Sequence, residues 1–158
     1  MSAKGVLSGS EINALLHEAA VGHLALCKEN IPYIVPLNFV YSEGEIYFHC
    51  APRGRKTEYM HVNPNVCFQV EAIGELISAE CPCSFTYSYR SILVEGTVHE
   101  VGGSEAKEAV LQKIADKYAG AAGGVVRVGS IGAMSLQQIE QVRVYRLKPC
   151  VVTGKKGS

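Results

Sequence analysis

Tryptophan is absent from this 158-residue chain, and so is any excess of charge of one sign. The 15 lysines and arginines balance the 15 aspartates and glutamates. Zero net charge gives no electrostatic attraction for nucleic acid or for an anionic membrane, so we expect neither as a partner. The sequence also lacks an uninterrupted apolar run of about 18 residues, which argues against a transmembrane helix.

Cysteine is too sparse for a disulfide-stapled fold, with six residues at positions 27, 50, 67, 81, 83 and 150. The start of the chain, MSAKGVLSGSEINALL, lacks the apolar segment of a secretory signal. We therefore expect a cytoplasmic protein with reduced thiols. No G-x-G-x-x-G or Walker A pattern occurs, and G-x-S-x-G and H-E-x-x-H are missing as well. Their absence disfavours Rossmann, P-loop, serine-hydrolase and zincin sites.

The chain is 47% apolar and has the length of one domain, which we expect to comprise residues 1–158. Apolar periodicity predicts helices over 8–19, with the capping-box pair Ser8 and Glu11, and over 103–120. A third, short helix is compatible with 54–62. Strands are predicted over 22–27, 31–41, 46–51, 66–71, 89–101 and 139–152. Residues 72–88 look irregular, 121–138 stay ambiguous, and the tail 154–158 is expected to be mobile.

The predicted strands follow one another closely along the chain, which favours an antiparallel barrel over a parallel sheet. Glu29-Asn30 and Ser42–Glu45 are expected to turn between strands. Pro36 has no N–H to donate to a ladder, which places it at an edge, at a bulge or where the sheet opens. The fold class expected from the residues is therefore mainly β, with flanking helices.

A basic turn follows the third strand, where Arg53, Arg55 and Lys56 surround Gly54. Three cations beside the start of a helix suit a phosphate dianion, although a solvated surface turn has the same composition. Cys81-Pro82-Cys83 offers half of a zinc site or a strained redox pair, but no second pair is present, and two loop thiols are the simpler interpretation. We assign no metal ligands. His49 lies beside Cys50 in a strand, where a histidine is most often structural.

The order of these motifs resembles the flavin-binding split-barrel superfamily named for pyridoxamine 5′-phosphate oxidase. The resemblance rests on P-Y-I-V-P-L-N-F-V-Y, I-Y-F-H-C-A, G-R-K, N-P-N-V-C-F and Y-R-S-I-L-V-E-G, in that order. The run P-C-S-F-T ahead of Y-R-S is similar to the Nim-type nitroimidazole-resistance branch. The similarity covers about residues 22–150. It implies a six-stranded antiparallel split β-barrel that forms a homodimer, with one FMN in each of two interface clefts.

Carried over by position, the resemblance also implies which residues bind FMN. Arg55 and Lys56 match the family's pair on the phosphate, and Arg90 and Ser91 match a strand that often reaches the cofactor from the other subunit. Gly54 stands where the family has a serine. The residues implied along the flavin ring and ribityl chain are Val35, Pro36, Leu37, Asn38, His49, Cys50 and Ala51.

The activity implied by the resemblance is that of an FMN-dependent oxidoreductase. A small-molecule donor such as a reduced nicotinamide gives two electrons to the flavin, which passes them to a small acceptor such as a nitro compound. His49 is the candidate for proton delivery, since imidazole titrates near neutral pH. A non-catalytic flavin- or haem-binding protein or sensor of the same fold is the alternative, and the absorption spectrum of the native protein separates the two ligands.

Overall fold

The computed structural model describes residues 4–78, 85–121 and 135–157, which form strands and four helices around one sheet. The helices are α1 (Gly9–Glu18), α2 (Arg55–Val62), α3 (Ser104–Ala121) and α4 (Leu136–Glu140). The strands are β1 (Lys4–Val6), β2 (Gly22–Lys28), β3 (Ile31–Leu37), β4 (Phe39–Ser42), β5 (Glu45–Cys50), β6 (Asn65–Ile77), β7 (Thr86–Glu100) and β8 (Arg143–Gly157). None of these helices combines the length and hydropathy that a membrane span requires.

The sheet runs in the order β3-β2-β6-β7-β8-β5-β4, with β1 also beside β8. Every pairing between the described strands is antiparallel. The predicted fold class, mainly β with flanking helices in a split barrel, is confirmed. The described strands number eight where six were expected. The difference arises because the predicted strand 31–41 breaks at Asn38 into β3 and β4, and because β1 adds itself to β8.

Both predicted tight turns are confirmed, and each has positive backbone φ angles at its two central residues. Glu29 and Asn30, between β2 and β3, have φ of 50° and 63°. Glu43 and Gly44, between β4 and β5, have φ of 55° and 81°. Two successive positive φ angles are the signature of a type I′ hairpin, whose twist matches that of the strands it joins. These hairpins set the registers of β3 and β5, which border the candidate site.

The main core fills the concave side of the sheet under α1. Phe39, Phe48 and Phe68 are completely buried there, and the rings of Phe39 and Phe68 meet edge-on with centroids 5.0 Å apart. The predicted capping box begins α1, with Ser8 accepting from the N–H of Glu11. A second cluster packs α3 against the opposite face of β4, β5 and β8. Its buried members are Val40, Val110, Leu111, Ile114 and Val144.

Three stretches differ from the sequence prediction. Residues 139–140 end the helix α4, which a capping box between Ser135 and Gln138 begins, so the final strand starts at Arg143. Residues 72–77 and 86–88 continue β6 and β7 as a long hairpin. The tail prediction is wrong for residues 154–157, because they pair with β1 on one side and β7 on the other. Lys156 also forms an ion pair with Glu11, at 2.6 Å between Nζ and Oε1.

The β7–β8 ladder shifts its register between Glu95 and Gly96. A Cβ at Gly96 would lie 2.2 Å from the carbonyl oxygen of Lys148, so the close approach of the two strands requires glycine. We expect Gly96→Ala to lower the free energy of unfolding by about 1–3 kcal/mol through overpacking. Gly102→Ala, where a Cβ meets open space, is the control and should change it by less than about 0.5 kcal/mol. Urea unfolding followed by circular dichroism measures both, and a Gly96→Ala variant as stable as the parent would contradict the close approach.

Candidate functional site

A gap between two strand edges defines the candidate site. Phe39, the first residue of β4, pairs with Phe48 of β5. Continuing that register would set Asn38 opposite His49 and Leu37 opposite Cys50. Instead β3 diverges at this point to pair with β2, and in the described residues no strand pairs with β5 on this edge beyond Phe48. The gap is the split of the barrel, and the predicted residues 35–38 and 49–51 border it from its two sides.

Helix α2 begins next to the split, and four residues, 51–54, separate it from β5. Its N-cap residue Gly54 has φ of 139° and ψ of 173°, a conformation in the region that favours glycine. The Thr57 hydroxyl donates to the Gly54 carbonyl at 2.7 Å, while no side chain in the described part of the chain caps the N–H groups of the first turn. Uncapped N–H groups and the helix dipole make this end of the helix favourable for an anion. A serine here, the residue common in the family, would be strained at this φ.

Arg55 is held in place by two tyrosines. Its guanidinium carbon lies 4.5 Å from the ring centroid of Tyr33 on β3 and 5.2 Å from that of Tyr59 on α2. One guanidinium nitrogen, Nη2, donates to the Tyr59 hydroxyl at 3.1 Å. A guanidinium has five N–H donors, so several remain for a ligand. This packing orients the side chain and ties the start of α2 to β3 across the split.

Lys56 differs from Arg55 in having neither a hydrogen bond nor an ion pair among the described residues. It is half-buried beside the split. Its ammonium charge acts on two neighbouring groups. It lowers the pKa of His49, and it partly offsets the rise that burial causes in the pKa of Cys50. An unpaired cation next to a cluster of free N–H groups is well placed to meet a ligand anion.

His49 and Cys50 point to opposite sides of β5. Cys50 is buried in the main core, and burial raises the pKa of its thiol, so the thiolate is disfavoured. His49 is exposed at the margin of the face that α3 covers, opposite Val144 of β8. Partial desolvation, followed by the charge of Lys56, lowers the pKa of His49 below its ordinary value. The imidazole is therefore mainly neutral at pH 7 when the site holds no anion.

The predicted residues on β3 differ in what they present to the split. Leu37 is buried in the main core, and Val35 packs partly against it. Pro36 and Asn38 are exposed. Of these four residues, Pro36 and Asn38 offer side chains to solvent, while Val35 and Leu37 can offer a ligand mainly their backbone.

Arg90 and Ser91 lie on β7 and do not line the cavity at the start of α2. The N–H of Val98 on β7 donates to Pro64, just beyond α2, and Arg90 is eight residues further along the same strand. At about 3.3 Å per residue, Arg90 lies about 26 Å along β7 from Val98. Arg90 forms an ion pair with Glu18 at 3.5 Å, while Ser91 points to the other face of the sheet because successive side chains alternate.

Four of the predicted site residues line one cavity of about 230 Å³. It is lined by Cys50, Ala51, Arg55 and Lys56, with Gly54 and Tyr33 beside them. The sequence did not single out Tyr33 and Tyr59 as site residues. Tyr33 could have been noticed, since it is an aromatic residue near the start of a predicted strand. Within the described residues, no group of three or more His, Cys, Asp or Glu side chains could hold a metal ion. Cys81 and Cys83 lie outside those residues.

The fold and this site define a class of protein, the split barrels with an uncapped, cationic helix start beside the split. A family model described as pyridoxamine 5′-phosphate oxidase matches residues 8–156. The chain belongs to the pyridoxamine 5′-phosphate oxidase family. A curated relative, an uncharacterised protein of Rhizobium meliloti (strain 1021), is 28% identical over 100 residues, which are 63% of this chain. The match spans 59% of that relative's length.

Solved structures show the same fold. A protein from Bacteroides thetaiotaomicron, described as a candidate 5-nitroimidazole antibiotic resistance protein, has a TM-score of 0.82 and 24% identity, covering 99% of this chain and 89% of its own. An FAD-binding protein from Mesorhizobium loti has a TM-score of 0.70 and 25% identity, and the match covers 98% of this chain and 99% of that protein. An FAD- and haem-binding protein from Mycobacterium smegmatis has a TM-score of 0.83 and 16% identity, covering 98% and 73%.

Proposed function

We propose that this protein is a flavoprotein oxidoreductase that binds FMN at the split of the barrel and reduces a small acceptor such as a nitro compound. The observation that carries the proposal is the arrangement at the split, where two strand edges that no described strand pairs with adjoin an uncapped, cationic helix start. Family membership and similarity to FAD-binding proteins support a flavin as the ligand. Similarity to the Bacteroides protein suggests the acceptor class.

The start of α2 suits the phosphate of FMN. Arg55 offers its remaining N–H donors from a fixed orientation, and Lys56 offers a charge that no described residue neutralises. Gly54 leaves the approach to the helix N–H groups clear, since a Cβ there meets open space. These features replace the serine hydroxyl of the family pattern with direct access to the backbone.

The two strand edges suit the polar rim of a flavin ring. An unpaired edge presents N–H and C=O groups that a partner can satisfy. Pro36 lacks an N–H, so its position offers only an acceptor. The residues bordering the split would therefore orient the ring through their backbone, while the core side chains Leu37 and Cys50 keep the floor of the split apolar.

The bound flavin supplies the two-electron chemistry. The chain's own residues fix its position and supply a proton donor. His49 is exposed at the split and is our candidate for that donor, because the reduced acceptor gains negative charge that a proton neutralises. In one chain the cavity of about 230 Å³ beside Lys56 shares Gly54 and Arg55 with a neighbouring cavity of about 680 Å³, and the resemblance implies that a second copy completes the flavin site.

The protein is therefore expected to be a homodimer. Arg90 and Ser91 do not line the cavity beside α2 in their own chain, and the resemblance implies that they contact the cofactor of a second copy. The convex face of the sheet also exposes Ile34, Leu93 and Val151, which are 62%, 42% and 49% accessible. Light scattering at micromolar concentration should give twice the chain mass of 17.0 kDa. A monomeric mass would remove both the dimer and the interface site from the proposal.

The native protein tests the function most directly. We expect a flavin absorption spectrum from protein purified without added cofactor, and FMN as the released ligand by mass spectrometry. Anaerobic addition of a reduced nicotinamide should bleach that spectrum, and a nitroimidazole should restore it. A haem spectrum, or a bound flavin that no donor bleaches, would favour a binding protein or sensor over an oxidoreductase.

A further inference from the structure

Arg143, the first residue of β8, reaches the loop that connects the two halves of the candidate site. It pairs with Cys50 in the β5–β8 ladder, so its side chain leaves the sheet where β5 ends. Its Nε donates to the carbonyl of Pro52 at 3.1 Å, and its Nη1 donates to Oε2 of Glu100 on β7 at 2.5 Å. Among the described residues, this is the only hydrogen bond that holds residues 51–53.

The loop needs such a contact because its own sequence does not fix its shape. Gly54 explores positive and negative φ with similar ease, so its φ of 139° must be imposed by the surroundings. Residues 51–54 also lie between the end of β5, which carries His49, and the start of α2, which carries Arg55 and Lys56. A shift in this loop would therefore move the phosphate-binding residues relative to the ring-binding strand.

A guanidinium is suited to this task. Its rigid fork lets one side chain bind the Pro52 carbonyl and the Glu100 carboxylate at the same time, whereas an ammonium is a point charge that would favour the carboxylate. Glu100 in turn orients the fork from the neighbouring strand. Both contacts are charge-assisted, which makes them stronger than neutral hydrogen bonds.

We propose that Arg143 is a positioning residue that preorganises the loop 51–54 for the phosphate of FMN. This inference rests on the proposed function, because it assigns to Arg143 the placement of Arg55 and Lys56 against that phosphate. Preorganisation removes part of the ordering cost of binding. Loss of the Arg143 contacts should therefore weaken FMN binding by about tenfold without removing a group that touches the ligand.

The test compares FMN and riboflavin binding, by flavin fluorescence titration of the flavin-free protein, in four proteins. These are the parent, Arg143→Lys, Glu100→Gln and a control, Arg146→Gln, whose side chain is exposed on β8 and 3.9 Å from Glu45. Arg143→Lys and Glu100→Gln should weaken FMN about tenfold and riboflavin little, while the control should match the parent. Hydrogen exchange at the amides of residues 53–57 should quicken in the same two variants, with the amides of β6 unchanged.

Combining Arg143→Lys with Lys56→Ala distinguishes positioning from general stability. If Arg143 acts through the phosphate residues, Lys56→Ala should reduce FMN affinity much less in the Arg143→Lys protein than in the parent. The inference would be overturned if Arg143→Lys weakened the binding of FMN and riboflavin equally, or left the ratio of their affinities as in the parent. Either result would leave the proposed function intact. A parent protein that binds riboflavin as tightly as FMN would overturn both.

Discussion

FMN binding should weaken at least about a hundredfold when Arg55 and Lys56 are both replaced by alanine, because two charge-assisted contacts are lost at about 1.5–3 kcal/mol each. Riboflavin has the same ring and ribityl chain but no phosphate, so its affinity should change little. The two dissociation constants can be measured by fluorescence titration of the flavin-free protein. The effect is read as the ratio of the two affinities, which a general loss of folded protein does not change.

The two side chains should contribute differently. Lys56 has no partner among the described residues, so Lys56→Ala should reduce FMN affinity without lowering the melting temperature. Arg55 packs on Tyr33 and Tyr59, so Arg55→Ala should reduce both. Arg146→Ala with Lys148→Ala removes the same charge from exposed positions of β8 and serves as the control. If the control weakens FMN as much as the double variant does, general charge accounts for the binding and the phosphate site is wrongly placed.

The parts of the site that could be predicted from the sequence are those that lie close together along the chain. His49, Cys50, Ala51, Arg55 and Lys56 fall within eight residues, so a strand end followed by a helix start was enough to bring them together. Alternation along a strand is likewise local, and it accounts for the opposite faces on which His49 and Phe48 lie. The local sequence pattern was therefore enough to predict the part of the site that contains Arg55 and Lys56.

Contacts between distant segments could not be predicted in this way. Tyr33 meets Arg55 only because the β2–β3 hairpin brings β3 back beside α2. Arg143 meets the Pro52 carbonyl across 91 residues of sequence, and the alternation of the last strand predicts only the face on which Arg143 lies, not the loop that it contacts. The tail GKKGS looks mobile by composition, yet pairing with β1 and β7 holds residues 154–157 in the sheet. Tertiary pairing overrides local propensity at such positions.

His49 provides the second large expected effect, and its environment sharpens the test. As a general acid it would contribute about 10²–10⁴-fold to the reduction of the acceptor. The His49 pKa is held below its ordinary 6.5 by desolvation and by Lys56. The phosphate of bound FMN would offset the charge of Lys56, so the His49 pKa should be higher in the FMN-loaded protein than in the free protein. Nuclear magnetic resonance titration of the histidine ring measures that difference.

His49→Gln should therefore slow acceptor reduction by about tenfold or more, allowing for partial replacement by water, while flavin content and flavin reduction by the donor stay near the parent's. In the parent, the rate of acceptor reduction should fall as the pH rises through the His49 pKa, because the imidazolium is the form that donates. The variant should lose that pH dependence, since an amide does not titrate. His99→Gln, an exposed histidine on β7 whose Nε2 is 3.0 Å from the Thr97 hydroxyl, is the matched control and should keep both the rate and the profile. Stopped-flow measurement of each half-reaction separates the two steps, and a variant that reduces the acceptor at the parental rate would show that His49 is a structural residue and that the proton comes from elsewhere.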